Sequence, residues 1–70
     1  MKEIKASMAG NVWKINVKEG EQVEIGDEVV ILESMKMEIP IASEVSGVVK
    51  EITVSEGDFV NEDECLMKVE

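Results

Sequence analysis

Residues 10–23 read GNVWKINVKEGEQV, and residues 47–60 read GVVKEITVSEGDFV. The two stretches align without a gap at an offset of 37, and the same offset continues to pair similar residues on either side of them. The chain therefore consists of two half-repeats, at about residues 4–33 and 41–70. A unit this small cannot bury its own apolar face, so the two halves are predicted to pack against each other about a pseudo-twofold axis.

Short segments rich in β-branched residues recur along both halves, and none shows a sustained helical period. Stretches rich in glycine, asparagine and acidic residues separate them, as expected of turns. Eight strands are predicted, at residues 4–8, 11–17, 22–23 and 29–33, and again at 37–41, 47–54, 59–60 and 65–69. This pattern predicts an all-β fold of two facing antiparallel sheets or a flattened barrel.

Each of the two long strands breaks strict alternation at the same place. Their apolar residues fall at positions 12, 15 and 17 in the first half, and at 49, 52 and 54 in the second. A spacing of three followed by two predicts a β-bulge in each strand. Gly10 and Gly47 open these strands, where we expect a tight bend or a close approach of another backbone.

The composition excludes several functional classes. The formal net charge of −9 repels nucleic-acid phosphates and anionic membranes, and we attribute it mainly to solubility. With no histidine and Cys65 as the only cysteine, the chain offers no zinc cluster, no internal disulfide and no usual base for a nucleophile. No apolar run could cross a bilayer or serve as a signal peptide. We expect a cytoplasmic protein that is not an enzyme by itself.

The repeat places residues 34–36, SMK, at the junction between the halves. Because one predicted strand ends at residue 33 and the next begins at 37, the junction is predicted to be a tight β-hairpin turn with Lys36 at its tip or shoulder, far from the chain termini. Pro40 has no N–H, which predicts that the hairpin lies at a sheet margin. Two interpretations stay open for the lysine: an ordinary surface charge flanked by methionines tucked into the core, or a displayed group.

The stretch ESMKMEIP, residues 33–40, resembles the attachment motif of biotinyl domains, whose usual form is Ala-Met-Lys-Met. Together with the repeat and the eight strands, it makes the whole chain similar to the biotinyl/lipoyl attachment domain family. Within the family it looks most like the small free-standing biotin/lipoyl attachment proteins of Bacillus-type bacteria. The resemblance implies one domain over residues 1–70, a flattened β-barrel (barrel-sandwich hybrid) of two four-stranded antiparallel sheets, with the modified lysine on a hairpin turn.

The resemblance also implies a function and a set of site residues. Lys36 would be the residue to which a biotin protein ligase attaches biotin, and the domain would be a monomeric biotin carrier. Its arm would shuttle carboxybiotin between biotin carboxylase and carboxyltransferase sites. The implied recognition motif around the lysine comprises Glu33, Ser34, Met35, Met37 and Glu38.

Two alternatives to a biotin carrier stay open. Ser34 replaces the usual alanine of the motif, and Glu33-Ser34 before the lysine also resembles lipoyl domains, whose lysine typically sits in Asp-Lys-Ala. Lipoate on Lys36 is therefore the alternative to biotin, although methionine on both sides of the lysine favours biotin. A barrel that is not modified and only binds a partner is the third hypothesis.

Trp13 aligns with Lys50 in the repeat and is expected to be partly exposed, but it is assigned no site. Met1 and the complete repeat favour a free protein over a segment of a larger carboxylase.

Overall fold

The computed structural model describes all 70 residues and contains eight β-strands and no helix. The strands are β1 (Lys2–Lys5), β2 (Gly10–Ile15), β3 (Gln22–Val23), β4 (Glu28–Ser34), β5 (Met37–Ala42), β6 (Gly47–Ile52), β7 (Phe59–Val60) and β8 (Cys65–Val69). Each corresponds to a predicted strand, so the all-β prediction is confirmed. None of these elements is a helix that could span a bilayer.

The bounds of β1 are the largest error in the prediction, which placed this strand at residues 4–8; β2 and β6 also end two residues before their predicted ends. Ile4, Ala6 and Met8 do contact the core, as their alternation suggested. Beyond Lys5, however, the chain leaves the ladder, and the Ala6 N–H donates instead to the carbonyl of Glu64 at 2.9 Å. Alternation in sequence reports burial, whereas a strand also needs a hydrogen-bonded neighbour.

The eight strands form two four-stranded sheets in which all neighbours are antiparallel. We call the sheet with the order β5-β4-β2-β7 the hairpin sheet and the sheet with the order β1-β8-β6-β3 the terminal sheet. The repeat exchanges β1 with β5, β2 with β6, β3 with β7 and β4 with β8, which converts one order into the other. The topology therefore has the predicted pseudo-twofold symmetry, and each sheet takes two strands from each half of the chain.

The core between the sheets follows the same symmetry. Fifteen buried apolar residues form a single cluster, and fourteen of them are related in pairs by the repeat. The pairs are Ile4/Ile41, Val12/Val49, Val17/Val54, Val23/Val60, Val29/Leu66, Val30/Met67 and Leu32/Val69. The remaining member, Ala6, corresponds to Ser43, which is also buried and whose hydroxyl donates to the carbonyl of Val45. The two halves thus contribute equally to one core.

Both predicted bulges are present. The register shifts between Val12 and Lys14 where β2 pairs with β4, and between Val49 and Glu51 where β6 pairs with β8. The extra residues are Trp13 and Lys50. Such a residue bends the strand and interrupts its ladder, which accounts for the broken alternation of the sequence.

Acidic side chains accept hydrogen bonds from the backbone at six places, a role that the sequence pattern did not predict. The Glu56 carboxylate accepts from the Ile15 N–H of the other half at 3.0 Å, and Glu19 accepts from Ile52 at 3.1 Å. Four more, Glu21, Asp27, Asp58 and Glu64, each accept from the N–H three residues earlier in their turns. These carboxylates stabilise turns and link the halves, so solubility is only part of the reason for the acidic composition.

Candidate functional site

The two halves are joined by a β-hairpin with a two-residue turn. Strands β4 and β5 pair from Glu28 and Ala42 up to Ser34 and Met37, which leaves only Met35 and Lys36 between them. β5 is the edge strand of the hairpin sheet, so the predicted tight hairpin at a sheet margin is confirmed. Because β4 also pairs with β2 on its other side, the sheet holds the base of the turn firmly.

The backbone of the turn is unusual for its residues. Met35 and Lys36 have φ angles of 52° and 65°, and two successive positive values in a two-residue hairpin indicate a type I′ turn. This turn strongly favours Asn-Gly, and a residue with a β-carbon in the left-handed region costs about 1–2 kcal/mol. Neither residue is suited to the turn that it forms, which points to a role in function.

The side chains of the turn project into solvent. Met35 is 91% exposed and Met37 is 62% exposed, so the interpretation that these methionines tuck into the core is wrong. Met35 lies at the tip, where no element covers it, and Met37 lies past the end of the core, which closes at Leu32 and Ile39. Lys36 is exposed and takes part in neither of the two ion pairs of the chain, Lys50–Glu70 and Lys68–Glu51.

The other residues of the predicted motif divide between the two faces of the hairpin. Glu33 and Glu38 lie directly opposite each other on the outer face, an arrangement of like charges that disfavours pairing, and neither has a cationic partner. Ser34 is half-buried on the inner face opposite Met37. A β-carbon built on Gly10 would lie 3.5 Å from that of Ser34, so this position faces the start of β2.

The chain termini occupy the place that the pseudo-twofold relates to this turn. Leu32 opposes Ile39 at the base of the hairpin, and the equivalent residues Val69 and Lys2 oppose each other where β8 ends and β1 begins. The one open cleft of the molecule lies elsewhere, between β1 and β5, and none of residues 33–38 lines it. The turn is therefore displayed rather than enclosed, and no metal-binding group of side chains accompanies it.

Comparison with known proteins assigns this arrangement to a family. Residues 2–69 match the model of a family described as "Biotin-requiring enzyme", which covers biotin and lipoyl domains. This chain belongs to the biotin/lipoyl attachment family. The resemblance inferred from the motif and the repeat is therefore confirmed.

Three proteins that are similar to this chain show how much of it the biotin/lipoyl attachment family covers. The chain is 58% identical over 66 residues to the biotin/lipoyl attachment protein of Bacillus subtilis, and this match covers 94% of the chain and 90% of the relative. It is 36% identical to the biotin-dependent acyl-coenzyme A carboxylase alpha3 subunit of Mycobacterium leprae, covering 94% of the chain and 11% of that protein. The crystal structure of the Kluyveromyces lactis urea carboxylase superposes with a TM-score of 0.88 at 31% identity, covering 97% of the chain and 6% of that enzyme.

Proposed function

We propose that this protein is a biotin carrier domain, formed by residues 1–70, in which biotin is joined through an amide to Nζ of Lys36. The observation that carries the proposal is the hairpin turn, which presents an exposed, unpaired lysine on a left-handed backbone between two exposed methionines. The domain is a carrier rather than a catalyst. Relatives named as carboxylases favour biotin over lipoate as the attached group.

The geometry suits the attachment reaction. A biotin protein ligase would activate the biotin carboxyl as an acyl-adenylate, and the neutral Lys36 amine would attack its carbonyl carbon. AMP would leave with the bonding electron pair, and the amine would lose a proton to form the amide. Because Lys36 takes part in neither ion pair of the chain, no ion pair has to be broken when it enters the ligase.

The hairpin also suits a swinging arm. The backbone at the base of the turn is held by pairing on both sides of β4, so the motion of the arm would come from the flexible lysine stem. Biotin held on Nζ of Lys36 would supply the carboxyl-transfer chemistry, and the protein would supply position and reach. Tethering the group raises its effective concentration at the enzyme sites that use it.

The partners that follow from this proposal are proteins. They are a biotin protein ligase, which loads the carrier, and the biotin carboxylase and carboxyltransferase subunits that use it. We infer that the domain acts as a monomer in the cytoplasm. In the motif, Met35 and Met37 would be contacted by these partners, Glu33 and Glu38 would provide charge beside the lysine, and Ser34 would support the turn from the inner face.

The test is intact mass spectrometry after co-expression with an active biotin protein ligase. We expect one biotinyl adduct on the wild-type chain and none on Lys36→Arg, which keeps the charge but cannot form the amide. The matched control is Lys18→Arg, another exposed lysine in a loop, which should be modified like the wild type. An unmodified wild-type chain, or an adduct that survives Lys36→Arg, would refute the proposal. A lipoyl adduct acquired in its place would assign the lysine to lipoate.

A further inference from the structure

The outer faces of the two sheets can be compared position by position, because the repeat gives each residue on one face an equivalent on the other. On the hairpin sheet, strand pairing places Glu38, Glu33, Asn11 and Phe59 in one row across all four strands, just below the turn. The next row holds Pro40, Ile31 and the bulged pair Trp13 and Lys14. We define the docking face as Trp13, Ile31, Pro40 and Phe59 together with Glu33 and Glu38.

The apolar members of the docking face have polar equivalents on the terminal sheet. Trp13, Ile31, Pro40 and Phe59 correspond to Lys50, Lys68, Glu3 and Gln22. Phe59 is 60% exposed and Trp13 is 49% exposed, and the two lie diagonally across the β2–β7 pair, a spacing that large side chains can bridge. Because the same backbone is built with polar residues on the other sheet, the fold does not require this apolar surface.

The charges differ between the two faces in the same way. On the terminal sheet, Lys50 pairs with Glu70 at 3.6 Å, and Lys68 pairs with Glu51 at 3.9 Å. The equivalent of Glu70 is Glu33, but the position equivalent to Lys50 is Trp13. Glu33 and the opposing Glu38 are therefore left without an internal cation, beside exposed aromatic residues. A partner that offers an apolar patch bordered by lysine or arginine would complement both features.

We propose that the docking face binds the biotin protein ligase that modifies Lys36. This inference rests on the proposed function. The ligase is the partner that meets the carrier before any biotin is attached, so it has only the protein surface to recognise. Lys36 is one of seven lysines in the chain, and each of them carries a primary amine. Selection of this lysine must therefore come from the surface around it, and the docking face borders the turn.

The test is steady-state biotinylation of the purified, unmodified protein by a biotin protein ligase with biotin and ATP. The double variant Trp13→Lys/Phe59→Gln introduces the residues that the terminal sheet carries at the equivalent positions, which the backbone accommodates there. We expect the KM for the carrier to rise about tenfold while kcat changes little, because exposed aromatic anchors contribute to binding rather than to chemistry. The control Gln22→Ala/Lys50→Ala should keep KM within about twofold of the wild type, since surface residues outside the interface contribute little to binding.

The single variant Phe59→Gln provides the same readout with a smaller change to the sheet, and urea unfolding of each variant verifies that it is folded. An unchanged KM in a folded variant would overturn the docking face and leave Lys36 as the attachment site. A fall in kcat at constant KM would also contradict it, because docking acts on binding. Absence of any biotin on the wild-type chain would instead refute the proposed function.

Discussion

The end of the molecule that carries the hairpin turn and the end that carries the chain termini have equivalent strand pairs, but only the first pair is joined by a turn. At one end β4 and β5 are closed by Met35 and Lys36, while at the other β8 and β1 pair although no turn joins them. The pairing of this strand pair therefore does not depend on a connecting turn. The strand pair can therefore tolerate Met35 and Lys36 although neither residue favours this turn.

The two ends also differ in how tightly a glycine contacts the neighbouring strand. A β-carbon on Gly10 would lie 2.9 Å from the carbonyl oxygen of Glu33, and one on Gly47 would lie closer still to that of Glu70. The expected close approach at both glycines is confirmed. Gly47 also has a φ of 148°, which disfavours any residue with a side chain.

The largest expected effect comes from breaking this pair of contacts. Gly47→Ala should lower the free energy of unfolding by about 2–3 kcal/mol, because it combines an unfavourable φ with a clash against backbone. Gly10→Ala should cost about half as much, since it meets only the clash. Urea unfolding followed by the fluorescence of Trp13, the single tryptophan, measures both. A smaller loss for Gly47→Ala than for Gly10→Ala would show that the backbone at Glu70 moves aside.

A smaller loss of stability is expected when either of the two glutamates that accept a hydrogen bond from the backbone of the other half is removed. Glu19→Ala and Glu56→Ala each remove an acceptor from a backbone N–H of the other half, and each should destabilise the fold by about 1 kcal/mol. Because the two bonds are equivalent, the two losses should be nearly equal. Denaturant midpoints measure them, with Glu62→Ala as the control, an exposed acidic residue without such a bond. Unequal losses would show that the symmetry of the backbone does not extend to its energetics.

The smallest change in the free energy of unfolding is expected from a substitution in the hairpin turn itself. Met35→Asn should raise the free energy of unfolding by about 0.5–1 kcal/mol, because asparagine tolerates the left-handed backbone and the exposed methionine gives up little packing. The matched control is Met37→Asn, which places the same residue in β5 without a positive φ and should bring no gain. Thermal unfolding of the two variants gives the comparison. A loss of stability in Met35→Asn would contradict the strain assigned to this turn.

Sequence reasoning predicted the parts of this fold that depend on local pattern. The bulges at Trp13 and Lys50 and the hairpin around Lys36 follow from spacing and from the repeat, and the structure contains them. The carboxylate bonds of Glu19 and Glu56 could not be predicted, because their acceptors and donors lie on opposite halves. A signal for them existed in hindsight: both glutamates precede the turn glycine at equivalent positions of the repeat.

By itself, the sequence determined the eight strands, the pseudo-twofold relation and the place of Lys36 in the turn between the halves, since these follow from periodicity and from a fixed offset. Only the tertiary structure decided that each sheet mixes strands of both halves and that Trp13 and Phe59 share a face with Ile31 and Pro40. The physical reason is that strand order and register are set by burying one shared core of fifteen residues. This is a property of the folded chain as a whole, and no single segment encodes it.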